Sequence, residues 1–189
     1  RLQRNKVRSL LGVPQLVHSV DSLRLAECLS DEAQKLWGEG AEQGPAEHRR
    51  RQDVLMQVNV SGEASKAGVP APEAMALSER IAEMPALRLR GLMTMAPYSD
   101  DPEDARPVFA RAAELFEAIR ARLAGMGDGE PSAPAEPERL LNFPGPGGGT
   151  FRLPAEATTP RRLGFDLLSM GMSGDFEVAI EEGANVVRI

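Results

Sequence analysis

Apolar periodicity that keeps switching between two residues and about three and a half is the feature that most limits what this chain can fold into. The stretches "QLVHSV" (15–20), "DVLMQVNV" (53–60), "LRLRGLMTM" (87–95), "FDLLSMGM" (165–172) and "NVVRI" (185–189) read as strands. Between them the apolar residues fall at helical spacing. One helix, capped by Asp21 or Ser22, runs through Lys35 with Leu23, Leu25, Ala26, Leu29 and Leu36 on its apolar stripe. A second spans Pro72 to Met84, and a third spans Pro107 to Ala124 with Val108, Ala112, Leu115, Ile119 and Leu123 on one face. A short fourth runs from Asp175 to Glu182 and ends at Gly183. Strands that alternate with helices in this way are expected to lie parallel and to be covered by those helices. Repeats of roughly 35 to 45 residues suit either a β/α barrel or a doubly wound sheet, and periodicity alone leaves both open.

Composition narrows the function classes. With 189 residues, 42% of them hydrophobic, the chain can bury a sizeable core as one domain. No apolar run approaches the length of a membrane span, so no membrane partner is expected. A net charge of −6 argues against a general nucleic-acid binder, which needs a basic surface to displace counterions. The basic clusters "RLQRNKVR" and "HRRR" read as solvated surface. The single cysteine, Cys28, sits at a packing position of its helix, precludes an internal disulfide and suits a reducing, cytoplasmic setting. From Gly127 to Pro160, seven prolines and six glycines among 34 residues mark a flexible insertion, with "LLNF" as a short patch able to dock. Its "GPGGG" lacks the Lys and Ser/Thr of a phosphate loop.

Chemistry is expected at the C-terminal ends of the strands, where side chains of a β/α barrel converge. In "LSMGMSGDFEVAIEEGANVVRI" a strand passes into a helix through Gly171, Met172, Ser173 and Gly174. The Ser173 hydroxyl and the amides of Met172, Ser173 and Gly174 can receive an anion there, and a capped helix after a buried strand explains the pattern equally well. The Asp175 carboxylate opposes an anion unless it turns back to cap the helix. Arg188 stands inside the last strand and shares a face with Val186. A buried guanidinium needs an acceptor. Asp166, Glu182 or a ligand can serve.

Together with "HSVDSLRLAE", "VLMQVNVSGEASKAGV", "LRLRGLMTMAP" and the opening "LQRNKVR", that closing stretch closely resembles the pyridoxal phosphate homeostasis protein family, single-domain relatives of the alanine racemase barrel. The resemblance covers almost everything except the Pro/Gly insertion. It implies an α/β fold, a (β/α)8 TIM-type barrel of the alanine racemase N-terminal type. Strands four to eight are present in this chain, and both ends are read as cut. It also implies pyridoxal 5′-phosphate (PLP) as cofactor, with Ser173, Met172 and Gly174 at the phosphate, Arg188 at the pyridine nitrogen, and Asn59, Met93 and Ser169 lining the rest of the site. Lys66, in "GEASKAG", matches a loop lysine of the family and is a candidate secondary contact. The family's covalent PLP lysine lies on the first strand and has no counterpart here. The Gly-Thr pair that follows the strand-eight arginine has none either.

The implied role is PLP buffering or delivery, with PLP-dependent apo-enzymes as partners, no catalytic residue, no metal, and a monomer or weak dimer as the full-length form. The alternative is a PLP-dependent amino-acid racemase. That reaction requires a second base, and the only tyrosine, Tyr98, falls in a loop.

Because long surface loops cost little to close or shorten, replacing 127–160 with a short Gly/Ser linker is expected to leave the melting temperature nearly unchanged. A drop beyond about 10 °C, more than ~1 kcal/mol produces even in a small domain, would show that "LLNF" belongs to the fold.

Overall fold

The computed structural model describes residues 2–37, 51–63, 66–126 and 164–189, together with the backbone of 140–144 and 150–154. A 3-10 turn (Arg4–Lys6) leads into α1 (Val7–Leu10), β1 (Leu16–Val20) and α2 (Leu23–Trp37). Then come β2 (Gln52–Asn59), the two-residue β3 (Val69–Pro70), α3 (Ala71–Ala82) and β4 (Leu87–Met93). A second 3-10 turn (Pro102–Ala105) opens α4 (Arg106–Ala124). After β5 (Leu140–Pro144) and β6 (Thr150–Pro154), the chain closes with β7 (Leu167–Met172), α5 (Phe176–Glu181) and β8 (Val186–Arg188).

The main sheet runs in the order β1-β2-β4-β7-β8, every pair parallel, with β3 bridged to the end of β2. All five long-range strands therefore finish at the same edge. One face of the sheet packs on the helices: Val54, Met56, Val58, Leu87, Leu89, Leu92, Leu168 and Met170 join Leu25, Leu29, Ile81, Phe109, Phe116 and Ile119 in one core. Each fully buried Leu, Ile or Phe there contributes about 1.5–3 kcal/mol relative to exposure. Leu23 and Leu36, placed on the α2 stripe by spacing, are 36% and 54% exposed and lie at its edges.

The opposite face is a second, inner surface. Leu55, Gln57, Met93 and Ser169 are buried outside the helix-side hydrophobic core. The sheet curls enough for His18 of β1 to reach Ser169 of β7 although β2 and β4 lie between them.

Two features fix the middle of this sheet. Arg90 of β4 is almost fully buried and is surrounded by acceptors: Nη1 meets Asp53 Oδ2 at 2.8 Å, Nη2 meets Asp166 Oδ1 at 2.9 Å, and Nε donates to the Gly164 carbonyl at 3.1 Å. Arg88 adds a longer contact to Asp53 Oδ1. Burial works against the guanidinium charge, and the two carboxylates more than offset it. Next in sequence, Gly91 adopts φ +153° in a bulge, where the register with β2 slips between Val54 and Leu55. The slip puts Leu89 and Leu92, three residues apart, on the same helix-facing side.

A separate antiparallel pair joins β5 to β6, in register from Leu140↔Pro154 to Pro144↔Thr150. Sequence reading treats this region as loop, yet its two short apolar runs flanking a glycine-rich link meet the requirement for a hairpin. The remainder of the 127–160 insertion lies outside the described residues, as does most of the "HRRR" cluster.

A Cβ at residue 91 would lie 1.7 Å from the Leu167 carbonyl oxygen of β7. Gly91→Ala is expected to cost about 2–6 kcal/mol, from overpacking against backbone together with positive-φ strain. Urea denaturation measures this, and a loss under about 1 kcal/mol would show that the β4–β7 contact yields freely.

Candidate functional site

At the shared C-terminal edge, β8 pairs with β7 in the register Met172↔Arg188, which sets the guanidinium-bearing residue beside the Met172–Asp175 turn. Nε and Nη2 of Arg188 are buried and have no hydrogen-bond partner among the described residues. Neither carboxylate considered for it from sequence is available. Asp166 is bound to Arg90, and Glu182 pairs with Arg106 at 2.7 Å. Arg106 also holds Glu103 and Glu181, so that acidic group ties the start of α4 to α5 instead. A buried guanidinium with unmet N–H groups is costly, so Arg188 calls for an acceptor that the other described residues do not supply.

His18 is the neighbour that sequence reading overlooked. It is half-buried on β1, its Nδ1 stands 3.4 Å from Ser169 Oγ, and its pKa lies below the ordinary 6.5, first because burial disfavours the imidazolium and second because Arg188 repels it. The available signal was its place in alternation with Val17, whose side chain enters the helix-side core.

The turn between β7 and α5 presents a different set of groups. Gly171 has φ +92°, and a Cβ there would meet Ala179 Cβ at 2.6 Å and Phe176 Cα at 3.0 Å, so the strand can close on α5 only with glycine. Asp175 turns back: its Oδ1 accepts the Met172 N–H at 2.6 Å, while the Asp175 N–H donates to the Met172 carbonyl at 3.0 Å. The Met172 amide, expected at an anion, is thus already engaged. Ser173 and Gly174 are exposed, and neither the Ser173 hydroxyl nor the two amides are hydrogen-bonded among the described residues.

The other residues placed here by sequence divide into two groups. Ser169 is fully buried and Met93 is 4% exposed, both on the inner face below the edge. Thr94, not anticipated, ties that edge together by donating its N–H to Ser169 O at 3.0 Å and its hydroxyl to Val58 O at 2.9 Å. Asn59 organises its own loop. Its Nδ2 donates to Glu63 O at 2.8 Å, and its Oδ1 accepts from Ser61 Oγ and the Gly62 N–H. Lys66 lines a cavity of about 410 Å³ beside that loop, opposite Arg111 of α4. Tyr98 is 90% exposed and hydrogen-bonded to Asp100. Cys28 packs against the core, and Arg4, Lys6 and Arg8 are solvated. Among the described residues no group of side chains could hold a metal ion, and no helix is long and apolar enough to cross a membrane.

A set of parallel strands ending on one edge, with helices packed on one face, is the arrangement of an incomplete β/α barrel. The family model for the alanine racemase N-terminal domain matches residues 3–133, and the chain belongs to that family. Its curated relatives include the pyridoxal phosphate homeostasis proteins of Aquifex aeolicus, 36% identical over the whole chain and 61% of that protein, and of Pseudomonas aeruginosa, 39% identical over the whole chain and 58% of that protein. The chain thus spans about three fifths of the length of the curated relatives it matches. Among solved structures, an unknown protein from Bifidobacterium adolescentis is similar over the whole chain and 56% of its own, with TM-score 0.65 and 28% identity. PipY of Synechococcus elongatus, solved with PLP bound, has TM-score 0.66 at 23% identity over the whole chain and 64% of its own, a likeness of fold.

His18 carries a pH prediction. Its folded pKa is depressed, so between that value and 6.5 the unfolded chain binds more protons than the native one, and stability falls as pH drops through this window. Urea midpoints measured across it are expected to decline more steeply for the wild type than for His18→Gln. Parallel curves would show that His18 titrates alike in both states.

Proposed function

We propose that the protein binds PLP at the C-terminal edge of its sheet and serves to store and deliver that cofactor rather than to turn over a substrate. The observation that carries this reading is the buried, unmet pair of N–H groups on Arg188, set one strand away from the open Ser173–Gly174 turn. A cation and a set of open amide and hydroxyl donors on neighbouring strands suit a ligand that carries both an acceptor ring nitrogen and a phosphate. PLP is such a molecule, and the names of the relatives and the PLP-bound PipY structure point the same way.

When bound, PLP supplies an aldehyde and a pyridine ring that can draw electrons from an attached amine. Arg188 governs the ring nitrogen: its guanidinium stays protonated, so it donates a hydrogen bond without surrendering the proton. A ring nitrogen left unprotonated is a weaker electron sink, which favours holding the cofactor over chemistry upon it. Ser173 and the amides of Ser173 and Gly174 supply donors for the phosphate, and Met93 forms part of the apolar floor below. PLP-dependent apo-enzymes are the natural recipients. Tyr98, exposed and hydrogen-bonded to Asp100, lacks the buried, fixed position that a second base for racemisation would need.

Absorbance titration with PLP is the test. Arg188→Met is expected to raise Kd at least tenfold, from the roughly 1.5–3 kcal/mol of a hydrogen bond to a charged group, and Ser173→Ala should weaken binding by about 0.5–3 kcal/mol. An unchanged Kd in both variants would remove these residues from the site. Rapid exchange of the Cα proton of L-alanine in heavy water by the PLP-loaded protein would instead identify a racemase.

A further inference from the structure

Glu181 and Glu182 close α5, where the free carbonyls of a last helical turn disfavour carboxylates, and no basic residue of that turn offsets them. Their partner is Arg106, at the start of α4 and 75 and 76 residues earlier in the chain. Its Nη1 donates to Glu182 Oε1 at 2.7 Å and its Nη2 to Glu181 Oε2 at 2.6 Å. Nε and Nη2 also hold the two carboxylate oxygens of Glu103, in the 3-10 turn just before α4, at 2.7 and 2.9 Å. We propose that Arg106 is a positioning residue for the Ser173–Gly174 turn: by gripping the far end of α5 it fixes where the donors before that helix are presented to an anion. The proposal rests on the PLP reading and adds to it the group that sets the geometry of the phosphate end.

The link from Arg106 to the turn is continuous. With six residues, α5 is short enough for its two ends to move together. The Glu182 N–H donates to Val178 O at 3.1 Å, the Ala179 N–H donates to Asp175 O at 3.1 Å, and Asp175 Oδ1 accepts the Met172 N–H. There is no slack on the strand side either, because Gly171 passes so close to the helix that a Cβ would stand 2.6 Å from Ala179 Cβ. A tilt or shift of α5 is therefore passed on to the turn. Ser173 and Gly174 are exposed and have no partner among the described residues, so their placement depends on the strand before them and the helix after them.

A single exposed ion pair contributes little, since two solvated side chains give up freedom for a screened attraction. Here one partly buried planar fork meets carboxylates of two elements at once, and Glu103 already orients it where it reaches α5. The three carboxylates also separate a grip from a mere field effect. Glu181 and Glu182 repel an anion, so removing them would favour phosphate if the group acted through its field alone. If the group acts as a grip, removing them weakens phosphate binding.

Two measurements on the purified protein, each made on Arg106→Met and on Glu181→Ala/Glu182→Ala, test the proposal. Alanine suits the end of α5 and removes the conflict with its terminal carbonyls, so fraying of the helix is not an expected by-product. The first measurement is amide hydrogen exchange followed by NMR without ligand. The Met172 and Ala179 amides, both bonded to Asp175, are expected to exchange about two- to thirtyfold faster in both variants, the size set by two exposed ion pairs, while the amides of the internal strand β2 keep their rates. The second is the Kd for PLP by absorbance titration, expected to rise at least about twofold in both variants.

Unchanged exchange at Met172 and Ala179 overturns the proposal, as does an acceleration shared equally by β2, which would mark a general loss of stability. Glu181→Ala/Glu182→Ala binding PLP as tightly as the wild type, or more tightly, overturns it as well. A wild type that binds no PLP, with Met172 and Ala179 responding in both variants, overturns the cofactor reading and leaves the grip of Arg106 on the turn standing.

Discussion

A guanidinium set into the inner face of a parallel sheet must be surrounded by acceptors, and the way Arg90 meets that demand holds the rest of the molecule in place. Its three nitrogens reach β2 through Asp53 and the approach to β7 through Asp166 and the Gly164 carbonyl. Three strands distant in sequence are thereby registered by one side chain. Removing the cation would leave two carboxylates facing one another in a poorly solvated place, which is why such sets are far more costly to break than to replace whole.

Arg188 occupies the same inner surface at the other end of the strands and lacks any such shell. The contrast separates architecture from function. At the amino-terminal end Arg90, Asp53 and Asp166 answer one another, whereas at the carboxyl-terminal end Nε and Nη2 of Arg188, the Ser173 hydroxyl and the amides of Ser173 and Gly174 have no partner among the described residues. Asp175 refines this picture. By accepting the Met172 N–H it ties the turn together, and it also sets a carboxylate beside the donors. An anion brought to this turn would meet local repulsion from that carboxylate.

Much of this was legible in the sequence because periodicity reports burial directly. Every strand of the main sheet except the two-residue β3 and all the longer helices fall within a few residues of where alternation and helical spacing put them. The family signature around Ser173 and Arg188 supplied the barrel, which periodicity alone could not separate from a doubly wound sheet. What could not be read were choices between equivalent partners. Asp166 is a plausible acceptor for either inner-face arginine, and only the register of β4 against β7 assigns it to Arg90. His18 was hidden for a related reason: a histidine within an apolar strand looks like a tolerated interruption until the sheet curls and brings β7 and β8 across to it. The hairpin of β5 and β6 was lost in a composition that describes the segment's average and conceals its two short apolar runs.

The bulge at Gly91 has a consequence for the phase of β4. In an unbroken strand, residues 90 and 93 would point to opposite sides. The extra residue resets the alternation, so that one strand presents Arg90 to the charged floor and Met93 to the apolar region beneath the mouth, both within the same enclosure. Floor and mouth are therefore out of step with one another by a single residue. An insertion or deletion on either side of Gly91 would leave one half of the strand correctly faced while turning the other half inside out, exchanging the lining of the site for the packing surface of the helices.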